Sequence, residues 1–222
     1  MNDALTRQDQ SLAVNARLQK FFARVAPVRG RLIFGIDATA SRQPTWDLAT
    51  GLQGQMFAAV SGLDVQLAYY RGDNECVRSR WLSDSRSLSD IMSRVFCKSG
   101  VTQIGRILRH TRQENQHEKV NALVIISDAC EERPGDLYDA ARALHDVPAI
   151  FFQEGHDAGV GSIYAEIARI TGGAVACFDA GAADRLADLL RAVGAFASGG
   201  IAALEGQKTE AARLLLTQIN KR

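Results

Sequence analysis

Between residues 31 and 197, short apolar runs alternate with stretches in which apolar residues return every three or four positions. The runs cover residues 32–36, 65–70, 122–126, 149–152 and 174–178. Three of them are nearly continuous in apolar residues, as strands covered on both faces are. Helical spacing appears in Leu48, Leu52, Met56 and Val60, with Thr45 ahead of them as the expected N-cap. It recurs in Ile104, Ile107 and Leu108, and again in Leu137, Ala140, Ala141 and Leu144. A fourth stripe, Ile163, Ile167 and Ile170, stops at Gly172-Gly173, and a fifth is Leu186, Leu189, Leu190 and Val193. Strand and helix in alternation predict an α/β fold, a doubly wound and mostly parallel sheet with helices on both faces. Residues 75–82 follow the turn Arg71-Gly72-Asp73-Asn74 too closely for a crossover helix, so they are expected as one antiparallel edge strand.

Two segments lie outside the alternation. Val14, Leu18, Phe21, Phe22 and Val25 predict an amphipathic helix over 10–25, and residues 202–219 form another, ending in Leu214, Leu215, Leu216 and Ile219. The expected organisation is an N-terminal helical extension (1–29), a sheet domain (30–198) and a C-terminal helix (199–222). Either extension can cover apolar surface of the sheet domain; alternatively the last helix docks into a partner or a second copy.

Composition narrows the class without changing the fold. The chain of 222 residues is 46% hydrophobic and 23% charged, ordinary globular values. Its 26 Lys and Arg against 25 Asp and Glu leave no electrostatic footprint for nucleic acid or an anionic membrane. No wholly apolar run approaches the ~20 residues that span a bilayer. The opening Met1-Asn2-Asp3-Ala4-Leu5-Thr6-Arg7 does not read as a secretory signal. Cys76, Cys97, Cys130 and Cys177 are dispersed, with no CxxC pair, which fits reduced thiols in a cytoplasmic protein.

Candidate chemistry gathers at the strand ends. The first run leads directly into Asp37-Ala38-Thr39-Ala40-Ser41, an aspartate and two hydroxyls at alternate positions. Another run ends in Ser127-Asp128, and Ser99-Gly100-Val101-Thr102 opens the helix led by Ile104. Carboxyl ends of strands in open α/β sheets are where ligands bind. Three loops of hard oxygen donors suit magnesium or manganese and argue against zinc or copper. Asp37, Thr39 and Ser41 are expected in a polar loop at the sheet edge, outside the packed core.

Taken together, Asp37-x-Thr39-x-Ser41, then Thr102, then Asp128, resembles the metal-ion-dependent adhesion site of von Willebrand factor A (VWA) domains, which are Rossmann-like. The segment from Ile163 to Gly173 is similar to that family's penultimate helix and its glycine-ended turn. The resemblance spans about residues 30–197. It implies Thr39, Ser41 and Thr102 as direct ligands, with Asp37 and Asp128 in or just behind the first shell. It also implies a partner protein whose acidic side chain completes the shell, intracellular partners in such families being ATPases, chaperone-like proteins or kinases. Three positions depart from the pattern: Thr39 replaces a serine, Ala129-Cys130 stand where glycine is usual, and Val101 stands where a second glycine is common.

Other residues carry weaker signals. His110, His117, His145 and His156 share no ligand spacing and are expected to be solvated or locally hydrogen-bonded. Cys130 has no neighbouring base and is expected to pack. Glu131 and Glu132 either add negative potential near the site or are solvated. Trp46 belongs either to a contact surface or beneath the first helix. One alternative function is an Asp37-dependent phosphatase of the haloacid-dehalogenase type. It lacks a general acid at Thr39 and a lysine at a strand end. Another is a VWA scaffold with an empty metal site.

Overall fold

The computed structural model describes residues 29–58, 62–144, 146–179 and 182–219, so the helix expected over 10–25, Val60 and His145 lie outside the described residues. β1 (Gly30–Asp37) is buried along its whole length, which explains its continuous apolar run. Alternate side chains serve opposite faces: Leu32, Phe34 and Ile36 enter one core, Ile33 the other. The remaining strands are β2 (Leu63–Arg71), β3 (Glu75–Arg78), β4 (Ala122–Ser127), β5 (Ala149–Glu154) and β6 (Ala174–Phe178). They form one six-stranded sheet in the order β3-β2-β1-β4-β5-β6. All neighbours run parallel except β3, which pairs antiparallel with β2. The edge strand expected over 75–82 is therefore shorter, with a separate bridge from Val65 to Leu82.

Two helical layers enclose the sheet. α1 (Gln43–Ala58), α2 (Ser85–Met92), α6 (Ala183–Gly206) and α7 (Glu210–Ile219) cover the face carrying Phe34. α3 (Ile104–His117), α4 (Pro134–Ala143) and α5 (Ala158–Thr171) cover the face carrying Ile33. Each wholly buried Leu, Ile or Phe contributes about 1.5–3 kcal/mol. α2 was not legible in the apolar pattern; it has 8 residues and begins where Asp84 accepts a hydrogen bond from the Ser87 amide. Thr45 is not an N-cap: a 3₁₀ turn (Ala40–Arg42) leads into α1, and Thr45 sits in its first turn.

Close approach explains one pair of glycines. Gly172 ends α5 in the left-handed region (φ 72°), and a Cβ on Gly173 would lie 1.9 Å from the Ala149 carbonyl oxygen. α6 breaks at Gly200 (φ 66°), two residues past the division expected at 198, and α7 then returns to the sheet. There Gln218 accepts from the Val175 amide and donates to its carbonyl, both at 2.9 Å. Its side chain thus pairs the open edge of β6, beside which no further strand lies among the described residues. α6 is also long and apolar enough, by length and composition, to cross a membrane; in this fold its most apolar stretch is more than half buried against the rest of the protein.

Candidate metal site

The order β3-β2-β1-β4-β5-β6 reverses direction between β1 and β4, leaving a crevice at their carboxyl ends. Asp37 is the last residue of β1. Because Ile36 pairs with Ile126, the next residues along, Asp37 and Ser127, stand side by side. The Ser127 hydroxyl donates to Asp37 Oδ2 at 3.0 Å and accepts from the Tyr70 hydroxyl at 3.1 Å. Asp37 Oδ1 accepts from the Thr39 amide at 2.8 Å, tightening the loop so that the Thr39 and Ser41 hydroxyls come to 3.5 Å. Sequence reasoning expected Asp37 outside the core. It is instead 1% exposed, because the parallel strand buries it from both sides. Burial pushes its carboxyl above the usual aspartate range; the bonds from Thr39 and Ser127 oppose this, and the nearby Asp128 charge adds to it.

The second loop is placed by the turn after β2. Gly72 (φ 58°) accepts from the Val101 amide at 3.3 Å, and a Cβ on Gly100 would fall 2.1 Å from the Gly72 carbonyl oxygen. The buried Gln103 amide donates to that same carbonyl at 3.1 Å. Thr102 is held against the third loop by a reciprocal pair: its amide donates to the Glu131 carboxylate at 2.8 Å, and its hydroxyl accepts from the Glu131 amide at 3.0 Å. Glu132 accepts from the Ile104 and Gly105 amides, capping α3 from across the site. Glu131 and Glu132 are thus hydrogen-bonded rather than merely solvated, and Glu131 also lines the cleft. The sequence of α3 carries no trace of this cap, since it comes from the loop after β4.

Asp128 follows β4, and the Tyr164 hydroxyl donates to the next carbonyl, Ala129, at 2.6 Å. The three loops surround an open cleft of about 220 Å³ lined by Asp37, Thr39, Ser41, Thr102, Asp128 and Glu131, among others. All five sequence-predicted ligand residues line this one cleft. Behind it, Arg42 is turned inward, and its guanidinium grips Glu154 through two hydrogen bonds of 2.7 and 3.1 Å. Ser127, Tyr70, Arg42 and Glu154 were missed as site residues. The one available cue is that Tyr70 lies in an apolar strand run, where a hydroxyl needs a partner.

The donor set fits a hard divalent ion. Its groups are carboxylates and hydroxyls, with no nitrogen or sulfur lining the cleft from a side chain. Among the described residues no three His, Cys, Asp or Glu side chains cluster in a way that could hold a metal, so ion binding here requires the hydroxyls. Cys130 lies in the third loop with its thiol pushed up to about 11 by burial, which keeps it protonated and unreactive. Trp46 is packing: it is 2% exposed, its indole donates to the Met92 carbonyl, and its ring meets Tyr69 edge to face. His110 is buried against Gln66, whereas His117 is exposed and His156 pairs with Asp179 at the surface.

No protein-family profile and no curated protein sequence matches this chain. Solved structures do. BatB, a conserved hypothetical protein from Bacteroides thetaiotaomicron, superposes with a TM-score of 0.58 at 18% identity, over 71% of this chain and 95% of that one. The SpRpn10 VWA domain gives 0.58 at 11% identity, over 72% and 95%. An aerotolerance-related membrane protein from Bacteroides fragilis gives 0.55 at 16% identity, over 87% and 100%. The fold is that of VWA domains, a six-stranded mixed sheet with one antiparallel edge strand.

Proposed function

We propose that this chain is a non-catalytic, divalent-metal-dependent protein-binding module of the cytoplasm. The observation that carries the reading is the convergence of three loops' oxygen atoms around the desolvated Asp37 carboxylate at the switch point of the sheet. Thr39, Ser41 and Thr102 are the residues that would hold magnesium or manganese directly, with Asp37 and Asp128 supplying charge in or behind the shell. A bound ion would supply an open position for a carboxylate oxygen of the partner. Asp37 is suited to orienting donors rather than attacking a substrate, since both its oxygens already accept hydrogen bonds and almost none of it meets solvent.

Exposed apolar side chains on the segment that leads into the cleft support the protein-binding part. Among the described residues the large apolar side chains left exposed are Phe96, Val101 and Ile201, at 75%, 43% and 40%. Phe96 and Val101 bracket the loop that carries Ser99 and Gly100 into the cleft. Exposed apolar side chains grouped beside a polar cleft are candidate anchors for a partner segment. An acidic partner segment with an adjoining apolar residue meets both features. ATPases, chaperone-like proteins and kinases are the partner classes that the VWA resemblance suggests.

The test is retention of partners on the immobilised full chain in magnesium, repeated with chelator and with Thr102→Ala and Phe96→Ala. Retention should need magnesium, vanish in Thr102→Ala and weaken in Phe96→Ala. Capture that is indifferent to chelator would refute the metal-dependent reading.

A further inference from the structure

Arg42 follows immediately on the proposed ligand Ser41, yet its side chain is only 9% exposed. Two carboxylates locate it. Glu154, at the end of β5 and itself 8% exposed, takes both guanidinium nitrogens and also the Thr45 hydroxyl. Nη1 is shared: it also lies 3.5 Å from Asp128 Oδ2, the only ion pair Asp128 makes among the described residues. Nη2 reaches the Ser41 carbonyl at 3.3 Å, so the same group braces the backbone of the first metal loop. Nε is buried with no hydrogen-bond partner among the described residues. The guanidinium is therefore placed by its two anions, at the expense of one of its own donors.

The two contacts are unequal. The Glu154 pair is short, bidentate and desolvated, the geometry of a strong charge-assisted bond. The Asp128 contact is long and made by a carboxylate that is 32% exposed on the cleft side. Asp37 and Asp128 line one cleft at the carboxyl ends of β1 and β4, and like charges so placed repel unless a cation is near. An arginine cannot release its proton, so its charge stays whatever else enters the cleft.

We infer that Arg42 is a resident counter-cation of Asp128, anchored by Glu154, and that it sets how tightly the cleft takes a divalent ion. This rests on the metal-dependent reading above. Without an ion, Nη1 neutralises Asp128 and holds the third loop in place. When the cleft is filled, Asp128 turns from Nη1 to the ion while Glu154 keeps the guanidinium where it is. Affinity is then the outcome of a competition, and weakening the competitor tightens ion binding.

The experiment is calorimetric titration of the full chain with magnesium chloride, in the parent and in an R42Q/E154Q double variant. The double change removes both members of the pair and leaves net charge unaltered. Magnesium should bind the double variant about three- to tenfold more tightly, since the lost cation was the nearer of the two charges to Asp128. An unchanged or weaker affinity overturns the exchange. So does a shift in melting temperature equal with and without ion, which is what a purely structural pair would give. Should the double variant not fold, nitrogen-15 resonances of the Arg42 guanidinium in the parent decide instead. They should move with the calorimetric midpoint as magnesium is added, and resonances that stay still overturn the proposal. A parent that binds no magnesium refutes the metal reading and this inference together. A parent that binds it with affinity indifferent to Arg42 refutes only this inference.

Discussion

Replacing Asp37 with asparagine separates the site from the fold. The swap preserves shape, and an amide oxygen can still accept from the Thr39 amide, the 2.8 Å bond that shapes the loop. The amide nitrogen would face the Ser127 hydroxyl, which can turn its proton to the Ala129 carbonyl at 3.2 Å. Hydrogen bonding is thus conserved, whereas Asp37→Ala would leave the Ser127 and Thr39 donors to find new partners at about 1–2 kcal/mol. The asparagine variant also removes a carboxylate whose ionisation burial disfavours. Metal-free stability should therefore stay within about 1 kcal/mol of the parent, or rise. Magnesium at one hundred times its dissociation constant stabilises a folded state that alone binds it by about 2.7 kcal/mol. For a chain of this size that is a rise of about 5–11 °C in melting temperature. Thermal melts followed by circular dichroism, with chelator and with saturating magnesium, should show the rise in the parent and less than about 2 °C in Asp37→Asn. A variant that keeps at least half the rise would show that Asp37 does not belong to the ion site. A variant that fails to fold would show that the charge itself supports the core.

Three further outcomes test the architecture around the site. Gly173→Ala places a Cβ 1.9 Å from the Ala149 carbonyl oxygen, so urea unfolding should show a loss of about 1–3 kcal/mol with an unchanged magnesium response. Gln218→Ala uncovers both polar groups of Val175 at the edge of β6; stability should fall by about 1–2 kcal/mol, and hydrogen exchange at the Val175 amide should quicken. Burial against Gln66 lowers the His110 pKa, so the fold keeps the neutral ring while the unfolded chain takes up a proton near pH 6.5. Stability from this group is complete above that pH and is lost as the pH falls through it. Urea midpoints measured from pH 8 to about pH 5.5 should therefore fall less steeply in His110→Gln than in the parent, and equal slopes would refute the assignment.

Much of the fold was legible because periodicity is a local property of the chain. Runs such as 32–36, 122–126 and 149–152 are nearly continuous in apolar residues, and the structure buries every residue of β1, β4 and β5. The run 174–178 is as apolar, yet it forms the edge strand β6 with Cys177 exposed, a difference that only the strand order decides. Glycines 172 and 173 ended a helix in sequence and end α5 in space. Asp37, Thr39, Ser41, Thr102 and Asp128 were legible as oxygen donors at the ends of such elements. That they line one cleft follows from the strand order, which sets β4 rather than β2's far neighbour beside β1. No local pattern carries that order. The burial of Asp37, the capping of α3 by Glu132 and the grip of Arg42 on Glu154 likewise join residues up to 112 positions apart. A side chain read in sequence has a chemistry but no neighbours, and whether a carboxylate is solvated, capping or paired is decided only when the sheet assembles.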